Sequence, residues 1–584
     1  MPANKQHAPA PSLRTGHRSP IRAAIALTAV ALLQAACAQR SPAAAATAAE
    51  PAASRAAAQA TTPEPRPITE AEIDGYLRFL SSDLLEGRGP SGRGGKLTVA
   101  YLESQMRAFG LEPAGENGGY TQSVPIDAVT ADASKIRVAA SGRATDSLTS
   151  PDEVVVWAGS AVEQSAARGE LVFVGYGVTA PEQRWDDFKN VDVRGKVLLV
   201  LVNDPPATSA EPELFGGNAM TYYGRWTYKF EEAERRGAAG MLIVHTTEQA
   251  GYPWHTVVGS WAKEQLMLPR KQSAPAPLGV RGWIAARPAA SLLRQAGLDL
   301  PAMIRDAASR DFRPVATGIE IDMAFPNTVR RVESENVVAA VPGSDPVLRD
   351  EYVILTSHWD HLGIGPAVNG DSIYNGASDN ASGVSDLLAI ARVLATGPAP
   401  RRSLLFTFVT AEESGLLGSA WFAENPTVPL DKIAANVNVD GGNLIGPTTD
   451  MVAIGEGKSS MGPLFSRYVS TLGLTVSPEE RPEAGIFYRS DHFSFAKAGV
   501  PALFLGAGLK VRDRPEGWGQ QQSDEFTANR YHQPGDEYRP DFDLRGAVQL
   551  SNVVLGFVRI VADAPMVPTW NADAEFQRAS PVQP

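Results

Sequence analysis

The sequence predicts an α/β protein with a mostly parallel central sheet flanked by helices. Three observations carry this expectation. Strand and helix patterns alternate from about Glu335 towards the end of the chain. The segments EYVILTS, SLLFTFVT and IAANVNV are near-continuous apolar runs, the pattern of strands covered on both faces. Each run gives way to residues able to ligate a metal, and open α/β sheets gather their sites beyond the carboxyl ends of strands.

Taken in order, residues 1–36 read as a secretory signal: Lys5, Arg14, Arg18 and Arg22 with no acid, an apolar run over 23–33, then Gln34-Ala35-Ala36. The apolar run is too short to span a bilayer. Cys37, the only cysteine in 584 residues, stands where a bacterial lipoprotein signal places its lipidated residue, although Gln34 replaces the usual aliphatic. The expectation is an exported bacterial protein, periplasmic or attached to the membrane through lipidated Cys37. Residues 37–66, rich in Ala, Thr and Pro, read as a tether that cannot bury a core. A helix opens at Thr69 with Glu70 and Glu72 behind it and Ile73, Tyr76, Leu77 and Leu80 at helical spacing. A second helix covers about 97–109 and stops at Gly110. The Gly-rich loop between them is not a phosphate-binding loop. Leu97 follows Gly95-Lys96 where Ser or Thr is required, and Pro90 holds the place of the first glycine.

From about 130 to 325 short β-type runs (EVVVWAG, GELVFVGYGV, GKVLLVLV) alternate with turns. A helix at about 228–236 leads into the buried strand GAAGMLIVH. His245 and His255 here are lone histidines without a ligand constellation and read as structural or surface residues. Beyond 335 the strands enclose the helix SGVSDLLAIARVLATG, and LRGAVQLSNVVLGFVRIVAD forms the last helix.

Composition narrows the chemistry. With 53 Lys and Arg against 65 Asp and Glu, the formal charge is −12, which argues against nucleic acid as a partner. A single cysteine excludes an internal disulfide, a cysteine-based zinc ribbon and an iron–sulfur cluster. A metal site must therefore draw on carboxylates and on few histidines. The strand ends supply them: His358-Trp359-Asp360-His361, then Asp379-Asn380, Glu412-Glu413, Asp440-Gly441-Gly442, and Tyr531-His532 with Asp536. A paired Glu is usually a solvated face, but this pair follows an eight-residue apolar strand. Several carboxylates packed without cations would repel one another, and divalent metals remove that conflict.

The ordered set HxD, NGAxDNASG, EExGLxGS, strand-then-Asp and YHxxxD resembles the M28 family of dinuclear zinc peptidases, over about residues 68–125 and 330–565. The intervening segment resembles a protease-associated domain. The resemblance divides the chain into 67–130 and 326–584 as the two parts of the peptidase domain, with 131–325 as a β-rich insertion. It implies two divalent ions, taken as Zn2+, and peptide substrates. It implies that Asp379 bridges the ions, with His358 and Glu413 completing one site and Asp440 and His532 the other. Glu412 would be the general base and Asp360 would orient His358. The resemblance also implies a cis bond between Asp379 and Asn380, and substrate-binding roles for Tyr531, Arg489 and Asp491. His492 stands in the SDH segment that resembles the family's pocket edge, or serves as a hydrogen-bonding residue behind it, and His361 reads as structural.

The expected function is an exported zinc aminopeptidase. Three alternatives keep the fold: a carboxypeptidase, a single-metal glutaminyl cyclase, and a metal-free receptor-like binding protein. Carboxypeptidases need arginines for the substrate carboxylate, and Arg489 alone decides little. A metallo-β-lactamase-type reading fails because Thr356 stands where a further His is needed, and a serine hydrolase reading fails because no G-x-S-x-G occurs.

Overall fold

The computed structural model describes residues 66–578. The expected signal, Cys37 and nearly all of the expected tether lie outside them.

The central sheet has four parallel strands at its heart, in the order Ala502–Ala507, Ile433–Asn438, Tyr352–His358 and Ser403–Val409. Its flanks are antiparallel. Asp450–Ile454 pairs with Ala502–Ala507 on one side, and Val315–Val341 pairs with Ser403–Val409 on the other. Thr121–Ala131 then pairs with Val315–Val341. Almost every residue of Ile433–Asn438, Tyr352–His358 and Ser403–Val409 is buried, as apolar runs without alternation require, while Ala502–Ala507 is half buried.

Helices Glu70–Leu80, Arg93–Phe109, Ser382–Thr396 and Arg545–Asp563 pack on one face around Leu387, Leu388, Phe406, Val554 and Phe557. The Arg545–Asp563 helix is long and apolar enough to cross a membrane by length and composition, but over half of it is buried here in the core. Phe422 and Phe495, from the short helices Leu417–Glu424 and His492–Lys497, fill the other face. Thr69 caps the first helix by accepting the Glu72 amide at 3.3 Å, and an ion pair from Arg392 to Glu72 ties that helix to Ser382–Thr396.

The middle of the chain builds a second sheet with its own cores on both faces. Its order is Arg137–Gly142, Val315–Val341, Gln164–Phe173, Val197–Leu201, Gly240–His245, Val280–Ala285 and Val154–Ala158. The 27-residue strand Val315–Val341 belongs to both sheets. Pro326 still pairs with Gln164 in the second sheet, and Asn327 already pairs with Ala131 in the first. The partition is not complete, because Gln265–Met267 returns to pair with Thr121–Ala131 in the central sheet.

The Gly-rich loop after the first helix serves close backbone approach. A Cβ at Gly87, whose φ is 66°, would meet the carbonyl oxygens of Tyr374 at 2.4 Å and Gly363 at 2.6 Å.

Candidate metal centre

Parallel register brings the site together. Thr356 lies opposite Asn438, so Asp440 emerges level with His358. On the other side His358 lies opposite Val409. The chain runs four residues further before Glu413, turning at Ala411 (φ 53°), so the Glu413 carboxylate is carried past His358.

Asp379 stands at the centre. One oxygen is 3.3 Å from His358 Nε2 and the other is 3.3 Å from His532 Nε2. His358 Nε2 is also 3.1 Å from Asp440 Oδ1, and His532 Nε2 is 3.1 Å from Glu413 Oε2. The expected ligand pairing is therefore exchanged: Asp440 groups with His358 and Glu413 with His532. The register just described is the reason. Glu412 offers a carboxylate oxygen within 4.8 Å of the ligand atoms of His358 and Glu413.

Neighbouring groups hold this cluster in place. The Asp379–Asn380 bond is cis. The Asn380 side-chain oxygen accepts the amides of Gly383 at 3.0 Å and Gly441 at 2.8 Å, tying the start of the Ser382–Thr396 helix to the Asp440 loop. Ser490 donates to Asp440 Oδ2. The Asp536 carboxylate accepts the amides of Ser378 and Asp379, each at 3.0 Å.

Asp360 orients His358 through its backbone. His358 Nδ1 donates to the Asp360 backbone carbonyl at 3.1 Å, while the nearer carboxylate oxygen is 3.7 Å away. That carboxylate instead accepts the Glu412 amide at 3.0 Å. Asp360 is fully buried and cannot touch a substrate, so it is a positioning residue rather than a catalytic one. Asp491 is likewise fully buried, with neither carboxylate oxygen bonded among the described residues, and so lies out of reach of a substrate. Burial, with the charges of Asp440 and Asp360, pushes it up to about 7 against the pull of His358.

His361 has a more direct part than a structural one. Its Nδ1 is 2.6 Å from Glu413 Oε1, so it fixes a proposed ligand from behind. His492 is packed between Phe487 and Phe504 and is pushed down to about 3 by burial, hence neutral. His245 meets the Tyr252 carbonyl at 2.9 Å among aromatic rings, and His255 is exposed.

Tyr531, 39% exposed, stacks on His532 with ring centroids 3.9 Å apart. Burial, together with the Asp379, Glu413 and Glu412 charges, pushes its phenol upward against the pull of Arg489, so it stays a hydrogen-bond donor.

Sequence reasoning missed Arg88. It lies within the Gly-rich loop and is 1% exposed. Its guanidinium donates to the carbonyls of Trp359 at 2.8 Å, Leu80 at 2.7 Å, Gly376 at 2.9 Å and Asn375. It thus buckles the loop that carries Asp379 to the end of the Tyr352–His358 strand. Asp536 was visible as the last residue of YHxxxD, but nothing in the sequence assigned it a role.

The electrostatics ask for positive charge. Burial alone would lower both imidazoles. Asp440 and Glu412 nonetheless hold His358 well above its ordinary range, and Glu413 and Asp379 take His532 up to about 10. Burial, with Asp440 and Glu413, raises Glu412 well above the usual carboxylate range although His358 opposes. Burial opposes ionisation at Asp379 too, but its hydrogen bonds to His358 and His532 hold it well down.

Imidazoles and carboxylates converging at the carboxyl edge of a parallel sheet define a candidate metal centre of the carboxylate–imidazole type. Residues 336–558 match the family model described as Peptidase family M28. A protein named "probable leucine aminopeptidase 2" from Aspergillus oryzae is 30% identical over 237 residues, 38% of this chain and 43% of that one. "Leupeptin-inactivating enzyme 1" of Streptomyces exfoliatus is 29% identical over 196 residues, 33% of this chain and 40% of its own. The chain thus spans about two-fifths of the length of these curated relatives. Among solved structures, an aminopeptidase from Aneurinibacillus sp. strain AM-1 aligns over 88% of this chain and 98% of its own, at 19% identity and a TM-score of 0.49.

Proposed function

We propose that the protein is a zinc-dependent exopeptidase that removes N-terminal residues from peptides, with two divalent ions and Glu412 as general base. One observation carries the reading: the two oxygens of Asp379 each face a different imidazole, and each imidazole has its own further carboxylate, Asp440 or Glu413. The donor set fits two ions sharing Asp379, because it holds clustered carboxylates that, among the described residues, raise His358 and His532 in the absence of a metal cation. His358, Asp379 and Asp440 would hold one ion, and His532, Asp379 and Glu413 the other. When bound, such ions lower the pKa of water and polarise a carbonyl.

The chain's own residues supply the rest. Glu412, its amide fixed by Asp360, accepts a proton from the attacking water and returns it to the leaving amine nitrogen. Tyr531 offers its hydroxyl to the oxygen that gains charge. The leucine aminopeptidase names of relatives support an aminopeptidase rather than a carboxypeptidase. The middle unit is read as a protease-associated domain. The protein is read as exported and held at a bacterial membrane through Cys37; both of these readings rest on sequence alone.

Metal analysis of the purified protein tests the core of this. Two equivalents of zinc are expected; one favours a cyclase and none a binding module. Glu412→Gln is expected to keep both ions and lose activity on amide substrates by roughly 10²–10⁴-fold. Near-normal turnover in that variant overturns the assignment.

A further inference from the structure

The middle unit touches segment 482–497, which runs beside the candidate metal centre. The Tyr222 ring lies 5.9 Å from Tyr488 and 5.1 Å from Phe493, and the Met220 amide donates to the Pro482 carbonyl at 2.9 Å. Lys497 Nζ bonds the Tyr222 hydroxyl at 3.1 Å and Glu231 at 2.8 Å. Segment 220–231 is therefore fastened to segment 482–497.

Two arginines issue from the two sides of this contact. Arg225 stands three residues after Tyr222, at the start of the Trp226–Arg235 helix, and Arg489 directly follows Tyr488. Among the described residues neither guanidinium has a carboxylate or carbonyl partner, and the Arg225 Nε is buried without one. Other buried arginines of this protein are satisfied: Arg88 by four carbonyls, and Arg402 by Glu351 and the Ala564 carbonyl. Burial, and then the neighbouring charge of Arg489, lowers Arg225 to about 10, which leaves it charged at neutral pH. Two adjacent cations, partly withdrawn from water and sharing no anion, are a costly arrangement unless an anion comes from outside.

The pair borders the chemistry. Ser490, next after Arg489, donates to Asp440. The Arg489 charge also reaches the phenols of Tyr531, beside His532, and of Tyr252, on the middle unit. Within the cluster, Asp379, Asp440 and Glu413 are themselves taken up by His358, His532 and His361.

We propose that Arg225 and Arg489 together hold a carboxylate of the substrate at the rim of the metal centre, so that the site selects short peptides with a carboxylate close to the scissile bond. The planar guanidinium fork matches that group in a two-point contact. The middle unit then completes the substrate pocket rather than merely decorating the fold. This rests on the peptidase reading above. The carboxylate has two possible sources, the C-terminus of a di- or tripeptide and an acidic side chain after the cleaved bond.

The test compares kcat/KM of the full-length metal-loaded protein on Leu-Gly, on Leu-Gly-amide and on Leu-Asp-amide. Charge-assisted pairing predicts that a carboxylate-bearing substrate is preferred over Leu-Gly-amide by roughly 10–100-fold. A preference for Leu-Gly assigns the C-terminus, and a preference for Leu-Asp-amide assigns the side chain. In Arg225→Ala the preference ratio is expected to collapse to within about threefold of one, and Arg225→Lys to recover part of it. Equal rates on all three substrates in the unaltered protein overturn the proposal without any variant. A full preference persisting in Arg225→Ala also overturns it. Failure to cleave any of the three overturns the peptidase reading itself, a different outcome from equal cleavage.

Discussion

Replacing Arg88 by alanine separates the structural support of the site from its chemistry. Four carbonyls, those of Leu80, Trp359, Asn375 and Gly376, accept from a guanidinium that is 1% exposed. Hydrogen bonds from a charged donor contribute about 1.5–3 kcal/mol each, but they share one side chain and do not add. The expected loss is about 3–5 kcal/mol, the range for removing one member of a buried charged network. For a chain of this size, at about 2.1 cal/mol/K of unfolding entropy per residue, that corresponds to a fall in Tm of roughly 3–5 °C. Burial lowers Arg88 only to about 10, and the charges of Asp360 and Asp536 oppose the shift, so the cation is present throughout the neutral range. Calorimetric unfolding at pH 7 reads the stability, and metal content after dialysis reads the site. Zinc retention is expected to fall as well, because Asn375 and Gly376 lead into Asp379. Arg88→Lys, with one ammonium in place of a fork, is expected to recover only part of either. A Tm within about 1 °C of the unaltered protein, with full metal content, would refute the buckle.

Three other outcomes follow from the same geometry. Asp379→Ala removes the carboxylate shared by both His358 and His532 and is expected to release zinc; full retention on metal analysis would overturn the bridging role. His361→Ala frees Glu413 Oε1 and is expected to weaken zinc affinity by about 10–100-fold in competition with a chelator, and unchanged affinity would reduce His361 to packing. Asp386 lies buried between two core helices, bonded by the Ser551 hydroxyl at 2.8 Å, and burial raises it from 3.8 to about 8. The folded state therefore keeps a proton that the unfolded chain loses from about pH 4 upward. Stability falls by about 1.4 kcal/mol per pH unit until pH 8, where the full penalty is reached. Asp386→Asn is expected to match the unaltered protein near pH 4 and to exceed it in Tm at pH 8–9; equal Tm at both would sink the linkage.

Much of the fold was legible because its signals are local. Apolar runs without alternation mark the central strands, and the Thr69 cap with its acids marks the first helix. The helix at 382–396 and the last helix fall where the patterns put them. The second helix begins earlier than its periodicity suggests, at Arg93, because Gly94 and Gly95 are needed there for contact with the Leu85 and Gly89 carbonyls. The expected boundary at 325–326 falls inside the strand Val315–Val341. Its passage from one sheet to the other changes its partners at 326–327 without breaking its backbone, and a sequence records no partners.

The sequence by itself determined which residue types stand after which strands, and hence that carboxylates and two imidazoles could meet at one sheet edge. That follows from chain direction: parallel strands bring their carboxyl ends to the same side. Only the tertiary structure decided which ligand stands beside which. That depends on register and on how far each loop runs past its strand, and it exchanged the partners of His358 and His532. It also decided what lies within reach. Asp360 and Asp491 sank beneath the site, His361 and Arg88 proved to hold it, and Arg225 arrived from the start of a helix in the middle unit. Burial and proximity across 264 positions of sequence, from Arg225 to Arg489, are properties of packing, and no local pattern encodes them.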